Sequence, residues 1–234
     1  MSRPVAVVTG SSSGIGKAIS QALLESGWSV CGISRRTISF DSPHYIHCNA
    51  DLSNSKQITD VVARITQEHS AIDALVNNAG IGYFAPHEEL SLSQITELVS
   101  INLLAPLILT KLLLRPLKES RGHLINLSSF SALESSSFGA AYAATKAGLK
   151  HFGDSLFEEC RKSGLRVTTI SPDITRTPFY DELSFAPEDD DAAAITPECV
   201  AQTVLQILTQ RAGTVTTHVA LRPQRLFLKK RPRG

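Results

Sequence analysis

Seven short apolar runs alternate with longer amphipathic ones, and this rhythm constrains the fold more than any other feature of the chain. The runs are residues 5–8, 28–33, 45–48, 72–76, 123–127, 166–170 and 215–220. Between them, residues 14–26, 55–69, 91–117, 140–161 and 197–210 read as helices. Several of the short runs are apolar throughout, as strands are when helices cover both sheet faces. The expected architecture is therefore α/β, a doubly wound parallel sheet flanked by helices on both faces. At 234 residues the chain suits a single domain, with no internal repeat and no linker. Two stretches break the rhythm. Residues 179–195 are acidic and irregular, placed to cover a substrate site, and residues 222–234 form a basic, proline-containing tail.

Composition narrows the function classes. A net charge of +1 gives no global attraction to nucleic acid. The richest apolar stretch, 101–117, is broken by Asn102, Pro106, Lys111, Arg115 and Pro116, so no membrane span is expected. The N-terminus lacks the apolar core of a secretory signal. Cys31, Cys48, Cys160 and Cys199 have no CxxC spacing, so free thiols in a reducing, cytoplasmic compartment are expected. His44 and His47 complete no metal-ligand pattern with Cys48, and no metal site is expected. The tail's Arg222, Arg225, Lys229, Lys230, Arg231 and Arg233 read as a solubilising tail or subunit contact rather than a nucleic-acid or membrane site.

The first apolar run enters Thr9-Gly10-Ser11-Ser12-Ser13-Gly14-Ile15-Gly16 and then a helix. Glycines at a strand-to-helix turn let backbone approach a pyrophosphate at the helix N-terminus. The spacing is GxxxGxG, and Ser11 and Ala18 spoil a nucleotide-triphosphate loop despite Lys17. The second run ends Ser34-Arg35-Arg36, where a site for an unphosphorylated ribose would place a carboxylate. Two guanidinium groups suit a 2′-phosphate, which favours NADP(H) over NAD(H). The alternative is that both arginines are solvated loop charges.

Further along the chain stand Asp51-Leu52, Asn77-Asn78-Ala79-Gly80, Asn102, Ser129, and Tyr142 four residues before Lys146. With the glycine turn, these pieces in this order resemble the short-chain dehydrogenase/reductase family between residues 5 and 177. The resemblance implies a Rossmann-type sheet, and hydride exchange between a nicotinamide and a carbonyl or secondary alcohol. It also implies a homodimer or homotetramer built on helices 91–117 and 140–161. Its catalytic set falls on Asn102, Ser129, Tyr142 and Lys146. Residues four apart share one helix face, so the Lys146 ammonium is expected to lower the Tyr142 pKa and fit it for acid–base work. Ser128 competes with Ser129 for the role of hydroxyl donor, and the family spacing to Tyr142 selects Ser129.

The cofactor contacts implied are Gly10, Ser12, Ser13, Gly14, Ile15, Gly16, Ser34, Arg35, Arg36, Asp51, Leu52, Asn78, Ala79, Gly80, Tyr142, Lys146, Pro172, Ile174 and Thr177. Asn78 has the alternative of tying strands together. The family's usual Pro-Gly is Pro172-Asp173 here, which alters the local backbone. Pro106 cannot donate to the Asn102 carbonyl, so that oxygen either binds a relay water or merely marks a kink. Three functions are open. The first is an NADPH-dependent ketone or aldehyde reductase. The second, a 3-oxoacyl-carrier-protein reductase, needs a basic docking patch by the site. The third is a non-catalytic cofactor-binding regulator, which would need no proton donor.

Overall fold

The computed structural model describes residues 3–225 and 228–230. Its strands are β1 (Val5–Thr9), β2 (Ser29–Ser34), β3 (Tyr45–Asn49), β4 (Ala74–Asn77), β5 (His123–Leu127), β6 (Arg166–Pro172), β7 (Phe185–Pro187), β8 (His218–Leu221) and β9 (Leu228–Lys230). Its helices are α1 (Gly14–Glu25), α2 (Ser55–Glu68), α3 (Leu92–Val99), α4 (Ala105–Glu119), α5 (Ala140–Cys160) and α6 (Pro197–Leu208). Seven strands form one parallel sheet in the order β3-β2-β1-β4-β5-β6-β8. The order reverses direction between β1 and β4, so a crevice opens at their carboxyl ends.

Each strand is apolar on both faces because each face has its own helical layer. In β1, Val5 and Val7 join a core with α2, α4 and α5 through Ile58, Leu109, Leu113 and Leu156. Ala6 and Val8 face the opposite layer, where Ile19 and Leu23 of α1 meet Val200 and Val204 of α6. The alternation is thus hidden in sequence and explicit in space. Capping fixes where helices begin. Asn54 accepts from the amides of Lys56 and Gln57, and Ser91 forms a capping box with Gln94.

Three expectations change. Helix 91–117 is interrupted: residues Ser100–Leu104 take π-helical geometry, with the Ala105 amide donating to the Ser100 carbonyl. Pro106, which has no amide, follows one residue after this bulge, and the bulge places Asn102 beneath the Gly80–Ile81 loop that borders the crevice. Together α3, the bulge and α4 make a 28-residue run, Leu92–Glu119, which by length and composition alone could cross a membrane. Here Leu98, Leu109, Leu113 and Leu117 of that run are buried within the protein.

The acidic stretch and the basic tail are the other two changes. Residues 179–195 contain β7 and the 3-10 turn Asp191–Ala193, following the turn Pro178–Tyr180, and β7 pairs antiparallel with β9 from the tail. Lys229 Nζ lies 2.6 Å from Asp189, Arg225 3.5 Å from Asp190, and Arg176 3.1 Å from Asp191. Opposite charge in the two segments joins them across the chain, a pairing no local pattern announces. Arg231 and Arg233 lie outside the described residues.

The crevice is held open by one crossing between β1 and the segment after β4. Thr9 Oγ1 accepts from the Asn78 amide at 2.9 Å and the Ala79 amide at 3.0 Å. Asn78 Nδ2 donates back to the Thr9 carbonyl at 2.8 Å. Replacing Thr9 by valine keeps the shape and strips both amides of their acceptor. Thr9→Val should cost about 2 kcal/mol in urea unfolding, while Thr9→Ser should cost well under half of that.

Candidate active site

At the carboxyl ends of the strands lies a cleft of about 1430 Å³, lined by the glycine turn at one end and by Ser129, Tyr142 and Lys146 at the other. The turn is built from glycine for steric reasons. Gly10 and Gly14 have φ of 67° and 51°, in the left-handed region. A Cβ at Gly16 would collide with the Gly10 carbonyl and the Asn78 amide. Ser13 precedes α1 but makes no side-chain cap, leaving the first-turn amides without a side-chain acceptor. Those amides, in a cradle that side chains would fill, suit the pyrophosphate of a dinucleotide.

Most of the expected cofactor positions gather along this cleft: Ser12, Ser13, Ile15, Ser34, Arg35, Arg36, Asp51, Leu52, Ala79, Gly80, Pro172, Ile174 and Thr177 all line it. Arg35 and Arg36 are exposed, and Arg36 Nη2 donates to Ser13 Oγ at 3.0 Å. Asp51 accepts from the Ser53 amide and hydroxyl, which hold its carboxyl below the usual range. Asn78 is engaged in the strand crossing described above. Ile174 differs from expectation. Its amide donates to Asp173 Oδ1 at 2.9 Å, and its carbonyl accepts from Ile195 at 2.8 Å. The aspartate in the family's glycine position thus occupies the backbone group expected to face the cofactor. Asp173 Oδ2 also lies 3.3 Å from Arg222, whose guanidinium stacks 4.0 Å over the Phe130 ring.

The four expected catalytic residues come from three places: Asn102 from the π bulge, Ser129 from just after β5, and Tyr142 and Lys146 both from α5. Asn102, in the π bulge, is fully buried. Its side chain clamps the Ile81 backbone, accepting from the amide and donating to the carbonyl at 2.9 Å each. It also donates to Thr145 on α5. Lys146 Nζ donates to the Leu127 carbonyl at 2.9 Å, at the end of β5. Both candidate serines line the cleft, and their partners tell them apart: Ser128 Oγ donates to the Lys146 carbonyl, whereas Ser129 Oγ lies 2.7 Å from Ser131 Oγ and hydrogen-bonds the Tyr142 phenol.

The electrostatics reverse one expectation. Burial pushes the Tyr142 phenol up to about 12, only partly offset by the Ser129 hydrogen bond. Burial also pulls Lys146 down to about 8. The ammonium sits 5.9 Å from the phenol ring centroid and spends a hydrogen bond on Leu127. Desolvation therefore outweighs attraction, and Tyr142 stays a protonated acid at neutral pH.

Sequence reading overlooked Phe84. Its ring lies 5.1 Å from Tyr142, 6.3 Å from Phe179 and 5.2 Å from Phe185. Its place shortly after β4, at a strand's carboxyl end, was the available signal. Leu228, from the tail, also lines the cleft.

Comparisons with known proteins agree with this geometry. An uncharacterized oxidoreductase of Staphylococcus epidermidis is 31% identical over 227 residues, covering 94% of this chain and 96% of that protein. An L-fucose dehydrogenase of Bos taurus is 32% identical, covering 85% of this chain and 75% of its own. The crystal structure of a metagenomic short-chain oxidoreductase in complex with NADP superposes with a TM-score of 0.81 at 30% identity, covering 94% and 96% of the two chains. The family model for short chain dehydrogenases matches residues 4–187, and the chain belongs to that family of oxidoreductases.

Proposed function

We propose that this protein is an NADP(H)-dependent carbonyl reductase or alcohol dehydrogenase with Tyr142 as its general acid and base. The observation that carries this is the convergence of Tyr142, Ser129, Lys146 and Gly80 at one end of a cleft whose other end holds the glycine turn and two arginines. A nicotinamide bound there supplies hydride to a carbonyl carbon or takes it from an alcohol carbon. Ser129 donates a hydrogen bond to the substrate oxygen as charge develops on it. Tyr142 gives that oxygen its proton in reduction and takes it back in oxidation. Lys146, lowered to about 8, is able to return the proton to the phenolate near neutral pH. Asn102 acts as a positioning residue: through Ile81 and Thr145 it fixes the loop after β4 against α5.

Arg35 and Arg36 support a 2′-phosphate, and no carboxylate stands at the end of β2 to repel it. The NADP-bound relative at 30% identity points the same way. The named activity of the bovine relative makes a sugar a second substrate class to test. An acyl-carrier protein fits less well. The described tail cations Arg222, Arg225 and Lys229 are each paired with a carboxylate rather than forming a docking patch. The retained proton donor speaks against a purely regulatory binder. Four free cysteines suit a reducing, cytoplasmic compartment. Val99 at the end of α3 and Leu104 in the π bulge, both exposed, suit a homodimer through the Leu92–Glu119 run and α5, which the mass in solution tests.

NADPH oxidation against ketones and aldehydes, with NADP+ reduction against alcohols and sugars, tests the reading. Tyr142→Phe should lower turnover by about a hundredfold or more while NADPH still binds. A wild-type protein that neither binds NADPH nor turns over any carbonyl contradicts it. The sign of the pH dependence follows from the phenol. Reduction needs it protonated, so reduction should not rise with pH. Oxidation needs phenolate, so its kcat/KM should climb with pH from neutral towards about 12 without levelling off earlier. Replacing Arg35 and Arg36 together by alanine should raise the KM for NADPH by about tenfold or more, with little change for NADH.

A further inference from the structure

The substrate end of the cleft differs in chemistry from the cofactor end. Phe84 sits among the rings of Tyr142, Phe179 and Phe185, so the wall beside the proton donor is aromatic. At the mouth, Phe138 is 64% exposed and Leu228 45% exposed. Phe138 also holds a φ of 61°, a left-handed conformation that costs a bulky residue about 1–3 kcal/mol. The backbone is kept there by the Ala85 amide donating to the Phe138 carbonyl at 2.9 Å. An aromatic ring placed in solvent at a strained position is unexplained by packing, and it borders the cleft.

The charged lining of the same cleft is mixed, with Asp51 among the cofactor positions beside the arginines. Its basic lining residues, Arg35, Arg36 and Lys146, lie at the glycine turn and beside Tyr142. The acids Glu97, Glu134 and Glu182 lie on the substrate side, with Tyr83 donating to Glu97 at 2.6 Å. A substrate carboxylate or phosphate entering there meets like charge and no described cation beyond Lys146, whereas an uncharged apolar group meets rings.

We propose that the substrate is an uncharged ketone or aldehyde bearing an aromatic or bulky apolar substituent, which lies against Phe84 and Phe179 and is gripped at the mouth by Phe138. This rests on the hydride-transfer reading above and adds the substrate class. Carbonyl oxygen faces Tyr142, and the apolar substituent fills the ring-lined pocket. An anionic carbonyl finds no countercharge among those rings, and a polyhydroxylated one gains nothing from them.

The test compares acetophenone, 4-acetylbenzoate, acetone and L-fucose as substrates of the wild type, Phe84→Ala and Phe138→Asn. Asparagine tolerates the left-handed conformation, so Phe138→Asn should melt no lower than wild type and serves if Phe84→Ala fails to fold. Acetophenone should be favoured over 4-acetylbenzoate by about tenfold or more in kcat/KM, and the acetophenone-to-acetone ratio should fall by about tenfold in Phe84→Ala and several-fold in Phe138→Asn. Preference for 4-acetylbenzoate or L-fucose, or a ratio unmoved in both variants, overturns the proposal and leaves hydride transfer standing. If no compound turns over, equilibrium dialysis of radiolabelled acetophenone decides. Binding weakened by either variant upholds the aromatic pocket against the hydride reading, and absence of binding overturns the pocket.

Discussion

The structure depends on the crossing of β1 and β4 at the sheet's switch point. There the Thr9 hydroxyl serves two amides and Asn78 returns a bond to the Thr9 carbonyl. One threonine thereby sets the distance between the turn that opens α1 and the loop that carries Gly80, Ile81 and Phe84. Gly10 and Gly16 pack against the same asparagine, which leaves no room for a side chain at either. A parallel sheet brings strand ends together but does not by itself hold a crevice of fixed width. This crossing does, and Asn102 extends it by gripping Ile81 from the far side.

Burial then governs the chemistry. Lys146 and Tyr142 both sit where water is scarce, so each is pushed towards its neutral form. A neutral phenol is the form that can donate a proton, and a lysine near its own titration point can replace it. The resulting pair differs from a tyrosinate held by a full ammonium.

Much of this was legible in the chain. Apolar runs without alternation gave the doubly covered sheet, since a strand buried on both faces needs no polar side. The spacing of Gly10, Gly14 and Gly16 points to a turn that approaches a pyrophosphate, and that of Tyr142 and Lys146 to a shared helix face. What sequence could not carry was long-range or depended on burial. Strands β7 and β9 are three residues each and find one another only in space. Asp173 reads as a departure from a family pattern, but its capture of the Ile174 amide and of Arg222 emerges only from the fold. The direction of the Tyr142 shift was misread because spacing reports proximity and says nothing of desolvation. The π bulge at Ser100–Leu104 was visible only as a proline in the wrong place.

The most direct test of the central claim follows the hydrogen itself. NADPH carrying deuterium at both C4 positions is incubated with the protein and a ketone that it reduces, and the product alcohol is weighed by mass spectrometry. Hydride transfer within this cleft predicts one deuterium on the carbinol carbon, with the hydroxyl proton coming from solvent through Tyr142. An alcohol without that label would contradict the account.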